Sequence, residues 1–457
     1  MLKKTLNLKV SIKTLLIVIY LCLIFALLFG WSVKHIMMGG ERFGNWKYLI
    51  LDLASIPTTA KRFFENKDHG LLVKNHKFKD SLAWQIDLDK YKLDENKGYL
   101  LISRFDGDKS RSLVELFDIN DEKIIHTWSP NIKNINSKSK ISKKYLDFEK
   151  NLNINRYRMQ HPLLLKNGSI IFQGNSPLTR INICSKLNWT LDGIFHHSNE
   201  LGNNNSLWTP HRFRPSSITT GSSLIANKES FQDDALSQIS HSGEILFNKS
   251  ITQILIDNNL EYLIYPTGEW GEDPLHLNDI QPILKDGKYW KSGDVFFSLR
   301  NINSIFLYRP NNNKIIWYKD GPWRRQHDID IFSDEEISIF DNNVNFDLSN
   351  VDGVNQIILY NFKNDNIRLY QEASLKDYSI KTTFEGLHSI FPNGDLMLEE
   401  TENGRIVMFA NDGSLKWQYI NKSKNGDVYR MNWSRFLDGQ KYFDIVKNIN
   451  DKKNVCN

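Results

Sequence analysis

The chain of 457 residues is long enough for one large domain or two or three small ones, and 12% of it is aromatic, with 12 Trp, 17 Tyr and 26 Phe, a composition that fits strands better than helices. Its 58 Lys and Arg against 53 Asp and Glu leave a net charge of +5. The basic residues are dispersed rather than gathered in a stripe, which argues against nucleic-acid binding. The 3 Cys show neither CxxC nor metal-ligand spacing, so neither a disulfide framework nor a thiolate metal site is expected.

At the N-terminus, Lys3, Lys4, Lys9 and Lys13 precede TLLIVIYLCLIFALLFGW, residues 14–31, which carry no charge. A run of this length suffices for a transmembrane helix, and no small-residue cleavage site follows, so an uncleaved anchor is expected rather than a cleaved signal peptide. The lysines ahead of the span place the N-terminus in the cytoplasm and the rest of the chain on the periplasmic or extracytoplasmic side. Cys22 falls in this run, which leaves only Cys184 and Cys456. Residues 1–35 are thus read as basic tip and anchor, and 36–95 as a stalk with a short helix around IPTTAKRFFEN.

From residue 96 to about 440, short apolar runs alternate with turn signals at the spacing of antiparallel strands. GYLLISRF, VELFDIN and KIIHTW form one series, followed by an insertion near 129–150 rich in Lys and polar residues. HPLLLKNGSIIFQG contains a hairpin at Asn167-Gly168. Later units are GDVFFSLRNINSIFLYRP with NKIIWYKDG, then HDIDIFSDEEISIFDNN with NQIILYNF. The last is LHSIFPNGDLMLEETENGRIVMFANDGSLKWQYIN, with turns at Asn393-Gly394, Asn403-Gly404 and Asp412-Gly413. Units recur every 35–80 residues or so, and three end in the similar strands IIHTW, IIWYK and LKWQY; this repetition predicts an all-β, six-bladed β-propeller, with 441–457 as a C-terminal tail.

Aligned by their first strands, the units begin QHPLLL, HHSNEL, LHLNDI, QHDIDI and LHSIFP. His161, His197, His276, His327 and His388 fall at one position, and in a propeller the innermost strands would aim that position at the central channel. His196 and His211 fall out of register and are expected at the surface or rim. A metal site is one use for convergent histidines, but a supporting carboxylate pattern is missing, although Asp273, Asp279 and Asp328 lie nearby, and no metal is expected. The other use is covalent catalysis by a neutral imidazole with cations binding an anion. Arg300, within the apolar strand FFSLRN, fits the second, because a buried Arg is costly unless paired or used.

The segments DPLHLNDI (273–280), FFSLRN (296–301) and RRQHDIDIFSDEEISIFDNN (324–343), with the earlier FHHSNELGNNNSLWTP (195–210), resemble the bacterial arylsulfotransferase family over roughly residues 95–440. The resemblance implies a six-bladed propeller whose channel moves a sulfuryl group from an aryl sulfate ester to a phenolic or other hydroxyl acceptor, with no cofactor. It implies that His327 is the nucleophile that becomes transiently sulfated, and that His197, His276 and Arg300 bind the sulfuryl oxygens with Asn278 in support. Asp328 should point to the other strand face and link neighbouring blades. Two other readings of the same residues are a propeller that binds a ligand without turnover, and a quinone- or metal-dependent propeller oxidoreductase, suggested by NGDLMLEE and DGSLKW.

Overall fold

The computed structural model describes residues 11–37, 40, 42–44, 46–47, 49–51, 53–54, 56, 77–87, 98–140, 154, 156–218, 225, 227–266, 271–345, 350–452 and 456. The chain divides into two compact units, 1–69 and 70–457. In the first, α1 (Ile12–Met37) is a 26-residue helix. At a rise of about 1.5 Å per residue it spans the apolar thickness of a bilayer, and it is apolar enough to cross one. Most of its Leu, Ile and Phe side chains are left uncovered by the protein, and a helix that is apolar all round needs an apolar surrounding such as lipid to cover it. Lys3, Lys4 and Lys9, nearly all of IPTTAKRFFEN, most of the expected stalk, and 141–150 of the Lys-rich insertion lie outside the described residues.

The second unit is an all-β propeller. Its strands begin with the short edge strand β1 (Trp84–Ile86) and then β2 (Gly98–Asp106), β3 (Arg111–Asp118) and β4 (Lys123–Trp128), which form an antiparallel sheet. A second sheet contains β5 (Gln160–Leu164), β6 (Ile170–Gln173), β7 (Ser176–Ile181), β8 (Leu187–Phe195), the two-residue β9 (Glu200–Leu201), β10 (Ser206–Phe213), β11 (Asp233–Ser240) and β12 (Ile245–Ser250). The third holds β13 (Leu277–Pro282), β14 (Val295–Leu299), β15 (Ser304–Arg309) and β16 (Lys314–Asp320). The fourth holds β17 (His327–Ile331), β18 (Glu336–Asp341), β19 (Gln356–Asn361) and β20 (Asn366–Leu369). The fifth holds β21 (Leu387–Ile390), β22 (Leu396–Glu400), β23 (Arg405–Phe409) and β24 (Leu415–Ile420), with β1 on its outer edge.

Six separate four-stranded blades are therefore not what the hydrogen bonding gives. Among the described residues, four sheets have the size of a blade and one has eight strands. The reason is local: the end of β8, still paired with β7 through Phe195 and Ser176, also pairs on its other edge with β10, Ile194 with Arg212 and Phe195 with His211, so two runs of strands share one ladder. The predicted Asn-Gly turns do form, with Gly168 and Gly394 at φ +81° and +86°, a backbone region that costs glycine little.

The hydrophobic core lies between neighbouring sheets. Phe296, Ile305 and Leu307 of the third sheet pack on Ile329, Ile339 and Ile358 of the fourth. Leu100 and Ile102 of the first meet Met397, Ile406 and Trp417 of the fifth, so the series closes into a ring. Closure is also made by backbone hydrogen bonds: β25 (Arg435–Asp438), late in the chain, pairs with β2 near its start, Tyr99 opposite Leu437. After it, α2 (Gly439–Lys452) buries Val446 and Ile449 against the first two sheets. The Cys expectation is corrected here. Cys184 and Cys456, 272 residues apart, form a disulfide with Cα atoms 5.1 Å apart, a pairing that spacing cannot reveal because the turn after β7 and the chain end meet only in the closed ring.

The starts of the innermost strands are hydrogen-bonded to one another around the axis. His161 N donates to Asn432 O (2.8 Å), Asn199 N to His161 Nδ1 (3.1 Å) and Ile280 N to Ser198 Oγ (3.1 Å). Ile329 N donates to Asp279 Oδ2 (2.7 Å) and His388 N to Asp328 Oδ2 (2.6 Å). Asp328 thus joins neighbouring inner strands, as its expected outward orientation implied. Burial raises its carboxyl to about 8.

Candidate functional site

A cavity of about 440 Å³ opens at the starting ends of these inner strands, lined by His197, His276, His327 and Arg300 among others. Of the five histidines expected to converge, these three do. Ring centroids lie 5.4 Å apart for His197 and His276 and 6.1 Å apart for His197 and His327. His161 and His388 do not line the cavity. His161 packs edge-on to Trp433 at 5.2 Å, and Trp433 in turn lies 6.4 Å from His327. His388 is occupied on both nitrogens, Nδ1 by Asp328 Oδ2 (2.7 Å) and Nε2 by Ser338 Oγ (2.8 Å). Asp328, Asp330 and His388 lie close enough to hold a cation. With both ring nitrogens of His388 engaged, the trio is better described as an interlock between strands.

The backbone at these positions departs from an ordinary strand. His197 and His276 have φ of +58° and +59°, and Asp328, directly after His327, +45°. For residues with a Cβ, such conformations each cost on the order of 1–3 kcal/mol and persist where surrounding contacts impose them. The ladder also slips between His327 and Ile329, a bulge that turns the histidine at the head of β17 toward the cavity.

His327 is wholly buried, at 0% exposure. Its Nδ1 faces two acceptors, Asn342 Oδ1 at 2.6 Å and the Arg325 carbonyl at 3.1 Å. Asn342 is oriented by its own amide, which donates to the Thr382 and Glu385 carbonyls (3.0 and 2.7 Å), so its oxygen must face the ring. Nδ1 therefore carries the hydrogen. Nε2 holds a lone pair with no protein partner. Burial first, and then the positive charge of Arg300, push the His327 imidazolium down to about 3, so the ring is neutral at ordinary pH.

Arg300 is not inside the strand, as the sequence suggested, but in the turn directly after β14. Its N–H donates to His276 O (3.0 Å), so a hairpin hydrogen bond holds the two residues side by side. The guanidinium reaches only Asn301 Oδ1, at 3.2 Å, and has no carboxylate ion pair among the described residues. Burial and the nearby Arg325 lower it to about 10. A half-buried arginine that faces a cavity with no carboxylate partner among the described residues has the chemistry to receive an anion. His276 turns its Nδ1 to Asp273 Oδ2, leaving Nε2 to the cavity. Burial favours the neutral acid at Asp273, but the His276 charge and hydrogen bond outweigh it and hold the carboxyl below its usual range. Asn278 does not line the cavity. It is fully buried and donates to Gln326 O (2.6 Å), bracing the backbone just ahead of His327. Of the two arginines beside the QHD segment, Arg324 pairs with Asp352 (2.9 Å) and the Arg325 side chain is hydrogen-bonded to Asn301 Oδ1.

Several participants carried no signal strong enough to single them out. Asn342 sits in FDNN, within a quoted motif, but nothing local says that it faces a ring 15 residues away. Glu385 lines the cavity, held by both guanidinium nitrogens of Arg158 (2.6 and 2.7 Å) and by Arg430 (2.9 Å). Burial opposes its ionisation, yet the two arginines hold it well below the usual carboxylate range. The expectation for His196 and His211 is corrected: neither is at the surface. His196 is 0% exposed and His211 9%, because both lie where β8 and β10 join, covered by the eight-stranded sheet.

A search of curated proteins finds no match to this chain. Among solved structures, it is similar to a protein of unknown function from Bacteroides caccae (9% identity, TM-score 0.47, covering 75% of this chain and 99% of that one). It is also similar to the WD40 β-propeller domain of Doa1 (11%, TM-score 0.39, 76% and 90%) and to virginiamycin B lyase from Staphylococcus aureus (12%, TM-score 0.32, 56% and 68%). At these values, none of the three bears on activity. The arylsulfotransferase (ASST) family model matches residues 161–422, a span that holds His197, His276, Arg300 and His327 together with Asn342 and Glu385. The chain belongs to the arylsulfotransferase family.

Proposed function

We propose that the protein transfers a sulfuryl group from an aryl sulfate to a phenolic or other hydroxyl acceptor through a sulfohistidine at His327. The observation that carries this reading is the Nε2 lone pair of a neutral, immobilised imidazole beside an arginine, neither having a partner of opposite character among the described residues. In the first half-reaction Nε2 attacks sulfur in line, the S–O bond to the aryl group breaks, and the electron pair departs on the phenolate. In the second, the acceptor oxygen attacks the same sulfur, its proton passes to a base, and the N–S bond returns its pair to Nε2. Charge on the equatorial oxygens is met by Arg300 and by His276, whose orientation Asp273 fixes; as in phosphoryl transfer, catalysis is mainly positioning and cationic stabilisation. The Asn342 acceptor supports the positive charge that develops on the ring as the N–S bond forms.

The same reading puts α1 in the cytoplasmic membrane as an uncleaved anchor and the propeller on the extracytoplasmic side, with the expected 36–95 stalk cut short because Trp84–Ile86 already belongs to the propeller's fifth sheet. The Cys184–Cys456 disulfide supports that placement, since such bonds persist in oxidising compartments. Purified protein mixed with 4-nitrophenyl sulfate should release 4-nitrophenol in a burst, followed by turnover that depends on added phenol. His327→Ala should abolish both, by roughly 10³-fold or more, as for loss of other covalent nucleophiles. A wild-type protein that is folded but shows no phenol-dependent release would exclude the reading.

A further inference from the structure

Behind the cavity wall lies a histidine that the scheme above does not use. His196 has its Nδ1 2.8 Å from Nδ1 of His197, and its Nε2 3.3 Å from Asp234 Oδ1, an electrostatic contact whose alignment falls short of a hydrogen bond. Asp234, 2% exposed, accepts from Arg212 Nε (2.8 Å) and, through Oδ2, from the backbone N–H of Leu277 (2.8 Å). Burial opposes ionisation of Asp234, but the positive charge of Arg212 keeps it a carboxylate.

The positions of the hydrogens follow from these contacts. A lone pair turned toward a carboxylate 3.3 Å away is repelled, so the field of Asp234 favours the hydrogen on Nε2 of His196. A neutral imidazole has one N–H, which leaves Nδ1 of His196 as a lone pair. The short contact between the two Nδ1 atoms is then an N–H of His197 donating to His196, and the remaining nitrogen of His197, Nε2, is a lone pair. Both rings are neutral, burial being the largest cause that lowers each. His197 is also faced by His276, His327 and Arg300, and His196 by Arg212 and His211. A neutral His197 so arranged has no hydrogen to offer a sulfuryl oxygen. It has a lone pair to offer a proton.

We propose that His196 and Asp234 form a proton relay behind His197, making His197 the group that takes the acceptor's proton. This rests on the sulfohistidine reading. As the acceptor oxygen attacks sulfur, its proton moves to Nε2 of His197, the Nδ1 hydrogen of His197 moves to Nδ1 of His196, and His196 becomes an imidazolium against the Asp234 carboxylate. With a basic leaving phenolate the sequence runs backwards in the next donor step: Nε2–H of His197 protonates the phenolate, and His196 returns its hydrogen. His197 touches substrate; His196 and Asp234 act through it as positioning residues.

The test separates the half-reactions. 4-Nitrophenolate is a weak base that departs without protonation, so the burst from 4-nitrophenyl sulfate does not require the relay. His196→Gln should keep burst rate and amplitude within about twofold of wild type. Steady-state transfer to phenol should fall by roughly 10²-fold, the scale of a lost general base, and the loss should grow as the acceptor becomes less acidic. Wild-type rates of transfer, with unchanged dependence on acceptor acidity, would overturn the relay. So would loss of the burst in parallel with transfer in both His196→Gln and His196→Asn, which would make His196 a packing residue. A wild-type chain without a burst would instead remove the sulfohistidine itself.

Discussion

At the scale of single residues, the site is built from three imidazoles that differ in what stands behind Nδ1. His327 is backed by an amide oxygen and a carbonyl, His276 by a carboxylate, and His197 by another imidazole. On the proposed reading, one residue type is thereby divided into a neutral nucleophile, a ring aimed by a fixed charge, and a ring with a route for a proton. For the nucleophile the pH consequence has a definite sign. Protonation removes the lone pair, and burial with Arg300 delays protonation until about pH 3. Stopped-flow measurement of the burst should therefore be flat from pH 8 to about 5; an acid limb near 6.5, the ordinary histidine value, would show that water reaches the ring. His327, His276, His197 and Arg300 were legible in the sequence because strand starts and ordered motifs repeat. Their backing groups were not, since Asn342, Asp234 and Glu385 reach them only across strands that the fold brings together.

At the scale of elements, alternating apolar runs and Asn-Gly turns located most strands, and the hairpin that sets Arg300 beside His276 could be read from the order of segments. Register was less legible. His276 precedes β13, His327 heads β17 and His388 is second in β21, so an alignment that treats them alike hides the left-handed residues and bulges that decide which ring enters the cavity. The ladder that fuses β8 to β10 rests on two residue pairs, which no periodicity announces. The closing strand offers a direct test. Leu437 is 2% exposed, sits opposite Tyr99 and packs into the core shared by the first two sheets. Leu437→Ala should cost about 2–5 kcal/mol, read as a lower urea midpoint, with burst amplitude per folded molecule unchanged.

At the scale of the molecule, the class of fold was visible in composition and repetition, while the number and fusion of sheets and the disulfide were not. Cys184 and Cys456 illustrate why: a pair 272 residues apart has no sequence pattern, and only a closed ring puts the two at one place. In the entropic account, a cross-link across so long a loop contributes on the order of 2–5 kcal/mol. Cys456→Ser should accordingly lower the thermal midpoint while leaving the sulfuryl-transfer rate of the folded protein intact. A drop in rate at temperatures well below the midpoint would tie the bond to the cavity rather than to the ring.

The Arg158–Glu385–Arg430 cluster gives the closed ring a further meaning. These three side chains come from the approach to the chain's second sheet, from the approach to its fifth, and from the segment just before its last strand, yet they meet at one carboxylate in the cavity wall. A polypeptide emerging N-terminus first reaches Glu385 before Arg430 and the closing strand, so at that stage the carboxylate lacks one of its two arginines and the cavity lacks part of its wall. Completion of the pocket thus waits on Arg430, and a chain cut short before that residue should be silent rather than weakly active.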